Sequence, residues 1–173
     1  MISDAQPVIY VENRTRGTGL DVRALSGLLE RLLAEIGEAG TSVSLTFVRD
    51  PEMRRLNRDH RGKDAATDVL SFPIYAPETF DRSGVTRPAA AAATGVERML
   101  GDIVVSVDTA RRQAEAYDAP LEREVQRLLV HGVLHLAGHD HLIAAERAVM
   151  EAEERRLAAA IGMPWPYLEG VGE

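Results

Sequence analysis

Eleven residues concentrate the side chains best suited to chemistry. The run His131-Gly132-Val133-Leu134-His135-Leu136-Ala137-Gly138-His139-Asp140-His141 holds four of the chain's five histidines. His131 and His135 are four apart, so on a helix they stand about 40° apart on one face, one turn above the other. Gly138 suits the left-handed residue that ends a helix. The chain can then turn back and present His141 to the same point. Three convergent imidazoles with a fourth position open describe a catalytic zinc site, not a closed structural one. One Zn2+ per chain is expected, although three imidazoles also suit nickel, copper or iron. If these three converge, His139 points elsewhere and reads as a solvent-exposed bystander. Asp140 is either an outer partner that orients an imidazole or a turn residue bonded by its own side chain.

The spacing H-x3-H-x5-H also occurs in the metzincin proteases, whose motif is H-E-x-x-H-x-x-G-x-x-H. Gly132 stands here where the protease carries its general-base Glu. Peptide hydrolysis needs that carboxylate to accept a proton. The residues therefore describe a zincin-type metal cradle used for different chemistry.

The rest of the chain must position this cradle. Its 173 residues, 45% apolar, suit one domain over residues 1–173 with a single core. The absence of cysteine excludes disulfides and thiolate-ligated metals. Met1 to Tyr10 lacks the basic start and apolar run of a signal peptide. No stretch approaches the roughly 18 to 20 apolar residues of a membrane span. A soluble cytoplasmic protein is the expectation. The net charge of −7 argues against nucleic-acid binding by the whole surface. Cations nevertheless cluster: Arg49, Arg54, Arg55, Arg58, Arg61 and Lys63 stand against Asp50, Glu52 and Asp59, and Lys63 is the sole lysine. Such a run also describes a solvated helix face. Arg61 and Lys63 fall past the expected helix end, near a loop, which makes them the better candidates for a ligand.

Strands are expected at Pro7 to Glu12, Ser42 to Val48, Thr67 to Ile74 and Gly101 to Val107. In the second, Val43, Leu45 and Phe47 alternate with Ser44, Thr46 and Val48. Asp21 can cap a helix carrying Leu25, Leu28, Leu29, Leu32, Leu33 and Ile36 at helical period. Asp50 can cap a short helix to about Asn57, and Asp108 one to about Tyr117. Asp118 can cap the next, with Pro120 in its first turn and Leu121, Val125, Leu128 and Leu129 as its core stripe. Ile143 to Ala160 is a last helix, and Trp165, Pro166 and Tyr167 follow in a tail. Ala76 to Met99, with its alanine run Ala89 to Ala93, reads as a long, poorly ordered loop. The class is α+β: a small mixed four-stranded sheet packed with about five helices, and a zincin-like metal site at a helix end.

Three stretches together resemble one family. His131 to His141 is similar to the H-G-x-L-H-L-x-G-x-D-H motif of the YbeY endoribonucleases. Leu56 to Pro73 resembles that family's L-N-x-x-[FY]-R-x-K-D-x-P-T-D-V-L-S-F-P. Leu100-Gly101-Asp102-Ile103, with Gln113-Ala114 downstream, is the third. Two positions depart: Ala66 stands where Pro is usual, and His60 where an aromatic is usual. The segment at about 76–99 is also longer. The resemblance implies a single-strand-specific, metal-dependent endoribonuclease of 16S rRNA 3′-end maturation and ribosome quality control. It implies His131, His135 and His141 as zinc ligands and Arg61 as the catalytic arginine. Phosphodiester cleavage builds charge on non-bridging oxygens, which an arginine fork can meet bidentately. The implied partners are single-stranded 16S rRNA precursor and small-subunit ribosomal proteins or assembly factors. Two other readings compete: a ribosome-assembly factor without chemistry whose zinc is structural, and a zinc hydrolase of another substrate using Asp68, Asp102 or Asp140 as base.

Overall fold

The computed structural model describes residues 8–77, 80 and 98–164. The elements run β1 (Ile9–Asn13), α1 (Val22–Glu35), β2 (Thr41–Val48), α2 (Asp50–Arg61), β3 (Val69–Pro73), β4 (Arg98–Ser106), α3 (Val107–Ala116), α4 (Leu121–Leu136) and α5 (Ala144–Ala160). Strand order is β1-β2-β4-β3. β1, β2 and β4 are parallel, and β3 pairs antiparallel with β4 at the edge. Among the described residues, the expected α+β class with a mixed four-stranded sheet and five helices is what forms.

The alternation of β2 sorts its side chains between two apolar clusters. Val43, Leu45 and Phe47 are fully buried with the stripe Leu25, Leu29, Leu32 and Leu33 of α1 and with Val125, Leu129 and Val133 of α4. Val48 joins Met53, Leu70 and Val104 in a smaller cluster under α2. α1 starts as expected, with the Asp21 carboxylate accepting the Ala24 N–H at 3.0 Å. Such a cap contributes about 1 kcal/mol.

Several boundaries differ from the expectation, each for a local reason. α2 continues one turn past Asn57, because the buried Asn57 amide donates to Ala65 O at 2.8 Å and anchors the chain beyond the helix. Arg61 is therefore the last helical residue, not a loop residue. Asp50 is the first residue of α2 and not its cap. Its Oδ1 accepts from Ser106 Oγ (2.6 Å) and Thr109 Oγ1 (2.7 Å), and its N–H donates to Asp108 Oδ2 at 3.0 Å. Asp108 likewise lies inside α3, which Ser106 caps. These two carboxylates brace the N-terminal ends of α2 and α3 together. Asp118 takes a left-handed conformation (φ 53°), and Pro120 is the residue that precedes α4. β4 starts at Arg98, so Arg98 and Met99 are strand, not loop. The expected disorder at 78–79 and 81–97, the alanine run and the Trp165-Pro166-Tyr167 tail lie outside the described residues.

β4 carries a bulge that lets the helical layer close on it. Ser42 pairs with Met99 and Val43 with Gly101, so Leu100 is the extra residue. At Gly101 (φ 154°) a Cβ would lie 2.4 Å from Phe72 O and 2.7 Å from Leu136 Cδ2. Backbone carbonyls cannot yield as side chains do, so β3 and the end of α4 reach β4 because this residue has no side chain.

Two stability tests follow. Gly101→Ala should lose at least about 1 to 3 kcal/mol, read as a lower urea midpoint at unchanged m-value. For Asp50 and Asp108, burial pushes the carboxyls up. For Asp50, hydrogen bonds from Ser106, Thr109 and Arg112 more than offset this; for Asp108, the Asp50 N–H and Arg49 do so. Both sit below the ordinary range, so their contribution is complete above about pH 4 and is lost as pH falls through the depressed values. Asp50→Asn should flatten the acid limb of a stability–pH curve. An unchanged limb would assign the acid sensitivity elsewhere.

Candidate metal centre

α4 packs through Val125, Leu128, Leu129 and Val133, and this stripe leaves His131 and His135 at its edge, half-buried. After Ala137 the chain turns at Gly138 (φ 88°), as the sequence implied. The His139 N–H donates to Leu134 O at 3.0 Å and closes the turn. His141 is thereby brought back over the helix end. Its ring centroid lies 5.7 Å from that of His131 and 5.2 Å from that of His135. Nε2 of His131 and His135 are 2.9 Å apart, and one ring nitrogen from each of the three histidines falls within 4.8 Å of the others. Three imidazole nitrogens about a tetrahedral zinc at 2.0–2.1 Å are spaced by about 3.3 Å. The donor set therefore fits one ion.

The remaining ring nitrogens explain why Nε2 is the available atom. His131 Nδ1 lies 2.7 Å from Glu154 Oε1, and His135 Nδ1 lies 2.9 Å from the His139 carbonyl. Holding Nδ1 as the donor selects the tautomer with a free Nε2. Burial, followed by the His131 and His141 imidazoles, pushes His135 down to about 4. It is therefore neutral, the ligating form, near pH 7.

Two of these outer partners are not evident in the histidine run. Glu154 belongs to the buried stripe of α5, with Met150, Leu157 and Ala158. The signal was there: a carboxylate in an apolar stripe needs a buried partner. His139 is half-buried, not an exposed bystander, and its backbone orients His135. Asp140 resolves as a turn residue, its Oδ1 accepting the His141 N–H at 2.7 Å and standing 3.9 Å from His141 Nδ1.

A cleft of about 220 Å³ opens beside the imidazoles, lined by Arg127 and His131 of α4, His141, and Arg147, Met150, Glu151 and Glu154 of α5. Arg127 stands one turn before His131 and donates to the buried Glu124 at 2.5 Å. Its guanidinium is 3.7 Å from Asp68. Burial raises the Glu124 carboxyl, opposed by Arg127. Asp68 also accepts from Gln113 Nε2 at 3.2 Å and from the Val69 N–H at 2.7 Å. Asp102 is exposed on the α2 side of the sheet, opposite the face on which Ile103 meets Gly132 of α4.

Gly132 has a packing reason. A Cβ there would lie 3.3 Å from Ile103 Cδ1 and Cγ2 and from Ser71 Oγ. This position faces the sheet, so a Glu substituted here meets the core before it meets a metal. Arg61, at the end of α2, donates from Nη2 to Ser71 O on the β3 edge at 2.6 Å, and its Cζ is 5.6 Å from the Phe72 ring centroid. Ser71 Oγ donates in turn to Gly132 O at 3.3 Å. The structure thus brings Arg61 to the strand beside α4, while the cleft walls come from α4, α5 and the turn between them. Lys63 is exposed two residues beyond.

Two imidazoles one helical turn apart, a third returned by a left-handed glycine, and a mixed sheet beneath define an α+β protein whose three-histidine cluster could hold a metal ion, with zincin-like local geometry. The chain belongs to the Endoribonuclease YbeY family, whose model matches residues 10–162. It is similar to the Endoribonuclease YbeY of Moorella thermoacetica, at 45% identity over 80% of this chain and 85% of the relative. It is 41% identical to that of a Bradyrhizobium species, over 85% of this chain and 80% of the relative. A solution structure from Thermotoga maritima shares the fold, with a TM-score of 0.53, 21% identity, and coverage of 96% of this chain and 100% of that one.

Loss of the outer carboxylate should loosen the metal. Glu154→Gln should weaken zinc binding by about 10- to 100-fold, measured by competition with a coloured chelator, with the metal-free melting temperature nearly unchanged. Equal zinc affinity would show that Glu154 serves packing alone.

Proposed function

We propose that the protein is a zinc-dependent, single-strand-specific endoribonuclease that acts on 16S rRNA precursor in 3′-end maturation and ribosome quality control. On this reading it works in the cytoplasm, as one domain over residues 1–173, beside small-subunit ribosomal proteins or assembly factors. Among the described residues, no helix is long and apolar enough to cross a membrane. The observation that carries the reading is the three-histidine donor set, open on the cleft side, in a chain of the Endoribonuclease YbeY family.

His131, His135 and His141 would hold the zinc, which when bound supplies Lewis acidity toward a phosphoryl oxygen and activates a nucleophile near neutral pH. Glu154 and the His139 carbonyl keep two of the imidazoles oriented. Arg61 spends one described N–H on Ser71 O, out of the five a guanidinium offers. The others remain for the non-bridging oxygens of a phosphodiester.

The peptidase alternative is disfavoured at the strand next to α4, where an extended peptide would add to the sheet. Arg61 occupies Ser71 O, Asp68 occupies the Val69 N–H, and Pro73 has no N–H. Nor does a carboxylate stand immediately after His131, where Gly132 lies.

The decisive measurement uses a single-stranded oligoribonucleotide, its duplex and its 2′-deoxy analogue, with and without chelator. The single strand should be cut in a chelator-sensitive manner and the duplex spared. Arg61→Ala should keep zinc and fold but lose about 100- to 1000-fold in kcat/KM, the cost of one transition-state contact of about 2.7 to 4 kcal/mol. Wild-type rates in that variant would remove Arg61 from the reaction. A zinc-loaded wild type that never cuts RNA would favour the assembly-factor reading.

A further inference from the structure

The cations around α2 fall into two groups. Arg49 pairs with Asp108 (2.8 Å), Arg54 with Asp64 (2.8 Å), Arg55 with Glu52 (3.6 Å) and Arg58 with Asp59 (3.2 Å). Among the described residues, Arg61 and Lys63 have no carboxylate partner. In a chain of net charge −7, positive charge is left unneutralised where α2 ends.

Planar groups gather at the same place. The Phe72 ring, half-buried on the α2 face of β3, meets the exposed His60 ring nearly edge-on, with centroids 5.1 Å apart and planes at 67°. The Arg61 guanidinium stands 5.6 Å from the Phe72 centroid. Ile74, just past the end of β3, is 56% exposed. Asp102 pairs with Phe72 across β4 and is exposed. It repels phosphate from that side, which leaves the Arg61–Lys63 side for a polyanion.

We infer that the exposed His60 ring, braced edge-on against Phe72, is a stacking platform for one nucleobase of the single-stranded substrate, with Arg61 and Lys63 on the phosphates that flank it. This rests on the endoribonuclease reading and adds a site to it. Aromatic faces beside a cationic track are how single strands are held without sequence readout, and bases stacked within a duplex do not offer those faces. The platform is also continuous with the metal helix. Phe72 lies on one face of β3, Ser71 bonds Gly132 of α4 on the other, and Arg61 sits on the edge between them. A strand crossing that edge would pass from the platform, past Arg61, toward α4.

The test compares steady-state cleavage, by the zinc-loaded full chain, of an oligoribonucleotide and of a set carrying one abasic ribose at each position in turn. His60→Ala should raise KM on intact RNA by at least about fivefold, the low end of the stacking range, with kcat nearly unchanged. One abasic substrate should cost the wild type the same factor and cost His60→Ala nothing more. His60→Phe should restore the wild-type KM. Lys63→Gln should lower the slope of log affinity against log salt by about 0.7. An active wild type with His60→Ala unchanged on intact RNA would overturn the platform and leave the endoribonuclease reading standing. So would His60→Phe as impaired as His60→Ala, since the loss would then be structural. A wild type that neither binds nor cuts RNA would overturn both.

Discussion

The close seat of α4 on the sheet is the constraint on which the rest of this structure depends. It is made by two residues without side chains. Gly132 lets the helix approach Ile103 and Ser71, and Gly101 lets β3 and Leu136 approach β4. Interiors are packed too tightly to absorb even a methyl group without displacement. His131 is the neighbour of Gly132, so any lift of the helix at this contact moves one of the three clustered imidazoles directly. The same contact sets Ser71, and through Ser71 the position of Arg61.

Convergence alone would not make three imidazoles a metal site, because each ring could rotate or take up a proton. The second nitrogen of His131 is held by a carboxylate from α5, and that of His135 by a carbonyl from the turn after α4. Burial and the neighbouring rings keep His135 neutral. A buried charge network lies one turn away on the same helix. Glu124, fully buried, is sustained by Arg127, which also approaches Asp68. Removing one member of such a network would leave a partner unpaired in a poorly solvated place.

β3 joins two environments. One face carries Ser71 toward α4, the other carries Phe72 toward α2, and the edge is closed by Arg61, Asp68 and Pro73. The blocking of that edge protects it from pairing with another strand. It also places a guanidinium where the two faces meet. An acidic protein can thus present a local cationic track without a basic surface overall, since most arginines of α2 are neutralised within their own neighbourhood.

The sequence by itself determined the three-histidine cluster and the class of fold. His131, His135 and His141 were legible because a helical turn and a left-handed glycine are local geometry. The stripe of α1 and the alternation of β2 were legible because burial follows periods of 3.6 and 2. Helix ends were less so. Asp50 and Asp108 look like caps, but each is recruited by the other's helix, and α2 runs on to Arg61 because Asn57 finds Ala65. What tertiary structure alone decided are relations between residues far apart in the chain. Glu154 reaches His131 across 23 residues and Arg61 rests on Ser71. Gly132 faces the sheet, against Ile103 and Ser71, and not the imidazole cluster. Local spacing fixes how one element presents its side chains, whereas which of them meet depends on how separate elements pack, and no short-range pattern encodes that.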